Sequence, residues 1–160
     1  MLTFLNMDVE GFCSIESLHL QLNPTCTILI KAPNGKGKST ILSALVWAIY
    51  GKNLKGVSEV NTWKQIRPKE YQGTKVQVYF QKDSHTYKVI RCQKYDGLLD
   101  DGSKGKDRLI IIKDGDTIDV KGKGKIQDVI NREIGLSYTL FMNSIMFGQG
   151  IKRLIQESNS

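Results

Sequence analysis

Ala32-Pro33-Asn34-Gly35-Lys36-Gly37-Lys38-Ser39-Thr40 is the stretch on which the reading of this chain turns. The run Cys26-Thr27-Ile28-Leu29-Ile30-Lys31 precedes it, and Ile41-Leu42-x-x-Leu45-Val46-x-x-Ile49, apolar at helical spacing, follows. Strand, glycine-rich turn and helix in that order are the setting of a phosphate-binding loop. Gly35 and Gly37 permit backbone conformations that a side chain hinders, so successive N–H groups converge on phosphate oxygens. The helix opening near Gly37 adds its unsatisfied N–H groups and the positive end of its dipole. Lys38 is expected to reach the β- and γ-phosphates of a nucleoside triphosphate, and the Ser39 hydroxyl to ligate Mg²⁺. The nucleotide-binding residues are therefore Asn34, Gly35, Lys36, Gly37, Lys38, Ser39 and Thr40. Ala32 stands where the strict motif has its first glycine, a place that mainly closes the strand-to-turn corner.

With 160 residues the chain can bury one sizeable core and is most simply one domain. No apolar run approaches the ~20 residues needed to cross a bilayer, so no membrane association is expected. The first residues have no signal-peptide pattern, which predicts a cytoplasmic protein. Cys13, Cys26 and Cys92 are widely spaced and form neither a disulfide framework nor a metal-binding pair.

The net charge of +7 is unevenly spread. Residues 1–30 hold no Lys or Arg against Asp8, Glu10 and Glu16, whereas residues 31–75 hold nine bases against Glu59 and Glu70. The basic excess surrounds the glycine-rich loop and suits a polyanion, nucleotide or nucleic acid.

Residues 2–9 and Leu18-His19-Leu20-Gln21-Leu22 read as two strands before the one that feeds the loop. The helix runs to Tyr50 and stops at Gly51. A polar stretch over residues 52–73, with Trp63, Arg67 and Pro68, precedes a hairpin of Val76-Gln77-Val78-Tyr79-Phe80 and Tyr87-Lys88-Val89-Ile90-Arg91. Residues 94–107, crowded with Gly, Asp and Lys, read as a mobile loop. Asp114-Gly115 predicts a second hairpin between Leu109-Ile110-Ile111-Ile112 and Thr117-Ile118-Asp119-Val120. A helix is predicted over residues 126–134, stopped by Gly135, with another helical start at Ser137.

A hydrolytic site of this type also needs an acidic residue at the end of a second apolar strand. Asp114 is the nearest candidate, but Lys113 interrupts the run and Asp114 reads as a hairpin tip. His19 and His85 have no partner that suggests acid–base work. The sequence thus presents half of a nucleotide site.

The ordered set of motifs resembles the N-terminal lobe of the SMC-like DNA-repair ATPases of the SbcC type, which include the phage recombination-endonuclease large subunit. The residues that carry the resemblance are Asn34-Gly35-Lys36-Gly37-Lys38-Ser39-Thr40, Trp47-Ala48-Ile49-Tyr50-Gly51, the meander over residues 76–91, Ile134-Gly135-Leu136-Ser137-Tyr138, and Phe147-Gly148-Gln149-Gly150. The fold implied is α/β, an ABC-ATPase-like P-loop NTPase lobe with an antiparallel meander beside the phosphate-loop strand and helix. One lobe would span residues 1–160: strands, loop and helix over 1–51, β-rich meander over 52–125, helix and Q-loop segment over 126–160.

By the same resemblance Gln149 is the Q-loop residue that completes Mg²⁺ coordination and senses the γ-phosphate. ATP and Mg²⁺ are the implied cofactors. A coiled coil and a C-terminal lobe bearing the signature and acidic motifs would lie beyond residue 160, so hydrolysis would not occur in this chain alone. The implied partners are that C-terminal lobe, a second ATPase head, an SbcD-type nuclease subunit and double-stranded DNA. Lys104, Lys106, Arg108, Lys121, Lys123 and Lys125 are candidates to meet DNA phosphates, though neighbouring aspartates dilute them. The family usually has a basic residue after the first strand that helps hold the base; Gly11-Phe12-Cys13-Ser14 has none.

Two other readings compete. A small P-loop phosphotransferase would need parallel strands alternating with helices and an arginine-rich lid, where this chain has hairpins and arginines standing singly, such as Arg67, Arg91, Arg108 and Arg132. A DNA-binding module with a vestigial loop is the other, and within the family SMC, RecF-like and RecN-like proteins share the pattern.

Overall fold

A computed structural model of the chain describes residues 2–22, 36–121 and 123–143, with side chains from Thr40 in the second segment and from Gly124 in the third. The strand expected over residues 26–32, together with Asn34, Gly35 and Gln149, lies outside the described residues.

Alternation of apolar and polar residues along β1 (Leu2–Phe12), β2 (Ile15–Gln21), β3 (Thr74–Lys82) and β4 (His85–Gln93) builds most of an antiparallel sheet. With β7 (Leu109–Lys113) and β8 (Asp116–Thr117) it has six strands among the described residues, in the order β2-β1-β3-β4-β7-β8. The register aligns Val9, Val76, Arg91 and Leu109 across four strands, and Met7, Val78, Val89 and Ile111 one step along. Both rows point to one face and are buried there. Two-residue turns set that register. Asp83 and Ser84 have φ of 51° and 69°, and Asp114 and Gly115 have 51° and 87°, left-handed values that match the twist of a tight hairpin. The β7–β8 hairpin is shorter than the alternation suggests, since β8 stops at Thr117.

α1 (Lys36–Tyr50) and α2 (Lys123–Ile134) cover this face. Every residue from Ala44 to Tyr50 is buried, as in a helix enclosed on all sides. Trp47 packs on Phe12 with ring centroids 5.7 Å apart. α2 is amphipathic instead and turns Val129, Ile130 and Ile134 inward. The Ser137 hydroxyl caps α3 (Tyr138–Phe141) by accepting from the Leu140 N–H at 3.2 Å. Phe141 then closes the core against Phe4 and Tyr50.

The segment over residues 94–107 is not a mobile loop. It forms a two-stranded ribbon, β5 (Tyr95–Leu98) with β6 (Lys104–Lys106), over the opposite face of the sheet. Tyr95 and Leu99 bury Ile90 and Cys92 there. The aspartates that suggest solvation are turn formers here: Asp101 accepts from the Ser103 N–H, and Asp107 from the Lys94 N–H, both at 2.9 Å. No helix among the described residues is long and apolar enough to cross a membrane.

Candidate functional site

α1 opens at Lys36, inside the glycine-rich motif, so the motif and the first turn of the helix are continuous. Lys36, Gly37, Lys38 and Ser39 are helical in backbone, and Thr40 is the first of the seven motif residues whose side chain is described. The first turn contains no acidic residue, which leaves the positive end of the helix dipole unopposed by carboxylates of its own. Burial rises along the helix, half-buried from Thr40 to Ser43 and complete from Ala44 onward. The helix is therefore gripped at its C-terminal half.

That grip has a polar centre. Arg91 occupies an inward position of β4 and is only 7% exposed. Its Nε donates to the Ala48 carbonyl at 3.0 Å and an Nη to the Ile49 carbonyl at 3.3 Å. The same guanidinium donates to the Gln127 amide oxygen of α2 and lies 5.9 Å from the Trp47 ring. Gln127 donates in turn to the Ile49 carbonyl at 2.8 Å. The last carbonyls of α1, which the helix itself cannot satisfy, thus receive donors from a strand and from α2. Desolvation lowers the Arg91 pKa to about 10, so the group stays charged at neutral pH. Gly51, at φ +76°, ends the helix, and a Cβ there would sit 3.0 Å from the Arg91 guanidinium. The Tyr50 hydroxyl donates to the Leu136 carbonyl at 2.7 Å and ties the same end to the α2–α3 link.

Alternation marks Arg91 as a strand residue and gives no sign of this role. The available signal is a charged residue at an inward position between Val76 and Leu109, with no acid opposite it in register.

Asp114 is a structural latch. One carboxylate oxygen accepts from the Thr86 N–H at 2.9 Å and the other meets His85 at 2.6 Å, joining two hairpin tips. The Thr86 N–H and His85 hold its carboxyl below the usual range. The basic residues singled out in the sequence fall into two groups. Lys104, Lys106 and Arg108 are exposed on or next to the β5–β6 ribbon, while Lys121 and Lys125 flank the start of α2 on the other face of the sheet. Lys123 begins α2, and its side chain lies outside the description. Arg108 is partly engaged, donating to the Ser103 hydroxyl and lying 3.8 Å from Asp101.

Comparison with known proteins agrees with this architecture. Residues 6–160 match the family described as AAA domain. Exonuclease subunit 2 of Escherichia phage RB69 is 26% identical over 132 residues, covering 82% of this chain and 21% of that protein. The DNA double-strand break repair Rad50 ATPase of Methanopyrus kandleri is 27% identical over 154 residues, covering 92% of this chain and 16% of that one. The chain therefore spans about a fifth or less of these relatives. In fold it is similar to the recombination mediator protein RecF solved with ATP, at a TM-score of 0.52 and 20% identity over 78% of this chain and 30% of RecF. The chain belongs to the AAA domain family, as an N-terminal ATPase lobe of the SMC-like, SbcC type with an ABC-ATPase-like P-loop fold.

Proposed function

We propose that this chain is the ATP-binding lobe of a DNA repair or recombination ATPase, and that ATP with Mg²⁺ binds at Asn34, Gly35, Lys36, Gly37, Lys38, Ser39 and Thr40, completed by Gln149. The observation that supports it most is the start of α1 at Lys36, within the motif, on a helix without first-turn acids. Such a terminus suits an anion, since its N–H groups and dipole both favour negative charge. Lys38 would neutralise the β- and γ-phosphates, and Ser39 with Gln149 would hold the ion. Bound Mg²⁺ would neutralise charge on the phosphate oxygens.

Residues 1–51, 52–125 and 126–160 would act as one lobe that carries the phosphate loop, a lateral β-rich part and the Q-loop segment. Hydrolysis would need the acidic and signature motifs of a C-terminal lobe, with two heads closing over two nucleotides. Engaged heads would offer a surface to duplex DNA and control a partner nuclease of the SbcD type.

Calorimetry with Mg-ATP tests the site: Lys38→Ala should abolish binding, and tight binding by that variant would overturn the assignment. Filter binding of duplex DNA by the complete ATPase should require Mg-ATP. Binding that ignores nucleotide would overturn the head-engagement step.

A further inference from the structure

The segment between α1 and β3 has little regular structure beyond a 3-10 turn at Lys64–Ile66, yet its middle is firmly held. The Val60 carbonyl accepts from the Cys13 N–H, and the Val60 N–H donates to Gln93 Oε1, both at 2.8 Å. Asn61 Nδ2 donates to Thr74 Oγ1 at 2.9 Å and to the Gln93 carbonyl at 3.0 Å. Val60, Asn61 and Thr62 are buried.

The next residue reverses this. Trp63 is 76% exposed, whereas Trp47 is 2% exposed. The pinned backbone on its N-terminal side thus holds the indole out in water. Four residues on, Arg67 is fixed by two contacts. Its Nε donates to the Thr62 carbonyl at 2.7 Å, and its guanidinium lies 4.6 Å from the Tyr71 ring. The Nη groups carry no partner among the described residues, so a pre-oriented fork faces outward. Asn61, Trp63, Lys64 and Arg67 line one open depression of about 670 Å³ together with Glu59, whose carboxylate is paired with Lys94. Asn61 keeps a buried Oδ1 with no hydrogen-bond partner, and its donation to the Gln93 carbonyl fixes the amide that way round.

We propose that Trp63, Lys64 and Arg67 form a binding site for single-stranded nucleic acid, with an unpaired base stacked on Trp63 and a neighbouring phosphate on the Arg67 fork. A duplex hides its base faces; an unpaired base offers one to the indole. Charge points the same way, because residues 52–69 hold Lys52, Lys55, Lys64, Arg67 and Lys69 against Glu59, itself 3.5 Å from Lys94. A protein partner would want continuous apolar surface, but exposed Ile66 lines a different depression from the one that Trp63 lines. None of these residues belongs to the phosphate loop, so this binding needs no ATP.

The test is fluorescence anisotropy with an oligothymidylate of about fifteen nucleotides, a length within the range such sites occupy. An abasic strand of equal length and a duplex are titrated alongside, all without nucleotide. Oligothymidylate should quench the exposed Trp63 emission and bind about tenfold more tightly than the abasic strand. Trp63→Ala should lose about tenfold in affinity and Trp63→Phe less, with thermal midpoints near that of the parent because the side chain is exposed. Arg67→Ala should lower the salt slope by about one. Lys38→Ala should bind the oligonucleotide normally, which separates this site from the ATP reading. Equal affinity for the abasic strand, preference for duplex, or parent affinity in Trp63→Ala would overturn the proposal. So would a concentration-dependent blue shift of Trp63 without nucleic acid, which would mark a protein interface instead.

Discussion

Arg91 Nε donates to the Ala48 carbonyl at 3.0 Å, so a strand residue closes the C-terminal end of the helix that begins in the glycine-rich motif. The same hairpin treats α2 alike: Lys82 Nζ donates to the Glu133 carbonyl at 2.7 Å and the Ile134 carbonyl at 3.2 Å. Each cation meets the negative end of a helix dipole. One β-hairpin thus fixes both helices against the sheet, and with them the direction in which α1 presents its N-terminus.

Arg91→Met should keep the volume roughly constant yet strip the donor from the Ala48 carbonyl and the Gln127 amide oxygen, while Gln127 still serves the Ile49 carbonyl. The loss should be about 1–3 kcal/mol, the range for a buried acceptor left unsatisfied. Urea denaturation measures it. Arg91→Lys should recover only part, because a single ammonium cannot serve two carbonyls and Gln127 in the planar fork geometry.

Two glycines are set by backbone contact. A Cβ on Gly11 would lie 2.1 Å from the Gly73 carbonyl oxygen, and one on Gly73 would lie 2.0 Å from the Lys94 carbonyl oxygen. Alanine at either position should destabilise by more than about 3 kcal/mol, since backbone must move. Gly56 has φ +77° but open space around it. Gly56→Ala should cost only about 1 kcal/mol, the left-handed penalty alone. Thermal unfolding of the three variants separates clash from strain.

Glu133 makes stability depend on acid pH. The Tyr87 hydroxyl donates to its carboxylate at 2.6 Å, and Lys113 lies 3.6 Å away. The Tyr87 hydrogen bond comes first among the causes that lower its pKa below the usual carboxylate value, and Lys113 assists. A carboxyl with a lowered folded pKa contributes stability that is present above its unfolded pKa and lost as pH falls through the folded one. Glu133→Gln should therefore lose about 1–2 kcal/mol at pH 7, with the difference shrinking below about pH 4. A constant gap down to pH 2 would contradict this account.

The two basic groups lie over opposite faces of the sheet. A duplex lying across one face can use only one of them. Lys104→Ala, Lys106→Ala and Arg108→Ala combined, compared with Lys121→Ala and Lys125→Ala combined, should affect duplex binding unequally. The group in contact should lower the slope of log affinity against log salt by about three if it is the first set and by about two if it is the second, roughly 0.9 for each charge removed. Equal and additive effects would mean that DNA wraps the lobe edge.

Local chemistry was readable where a residue's own backbone preference decides the outcome. Asp114-Gly115 had to turn, Gly51 and Gly135 had to end helices, and Val76, Val78 and Phe80 had to share a face. Residues 94–107 misled because Gly and Asp report only that a chain turns. Whether the turn is solvated depends on Tyr95 finding a place over Cys92 and Ile90 and a partner for its hydroxyl in Glu10 at 3.1 Å.

By itself the sequence determined the glycine-rich motif, the helix that follows it and the meander, because spacing and backbone preference are properties of neighbours along the chain, and those motifs in order carried the family resemblance. Tertiary structure alone decided that Arg91 is a buried helix clamp, that the lysines divide between two faces, and that Trp63 stands in water beside Arg67. Those outcomes rest on burial and hydrogen-bond satisfaction, and both are set by residues that pack together from distant parts of the chain.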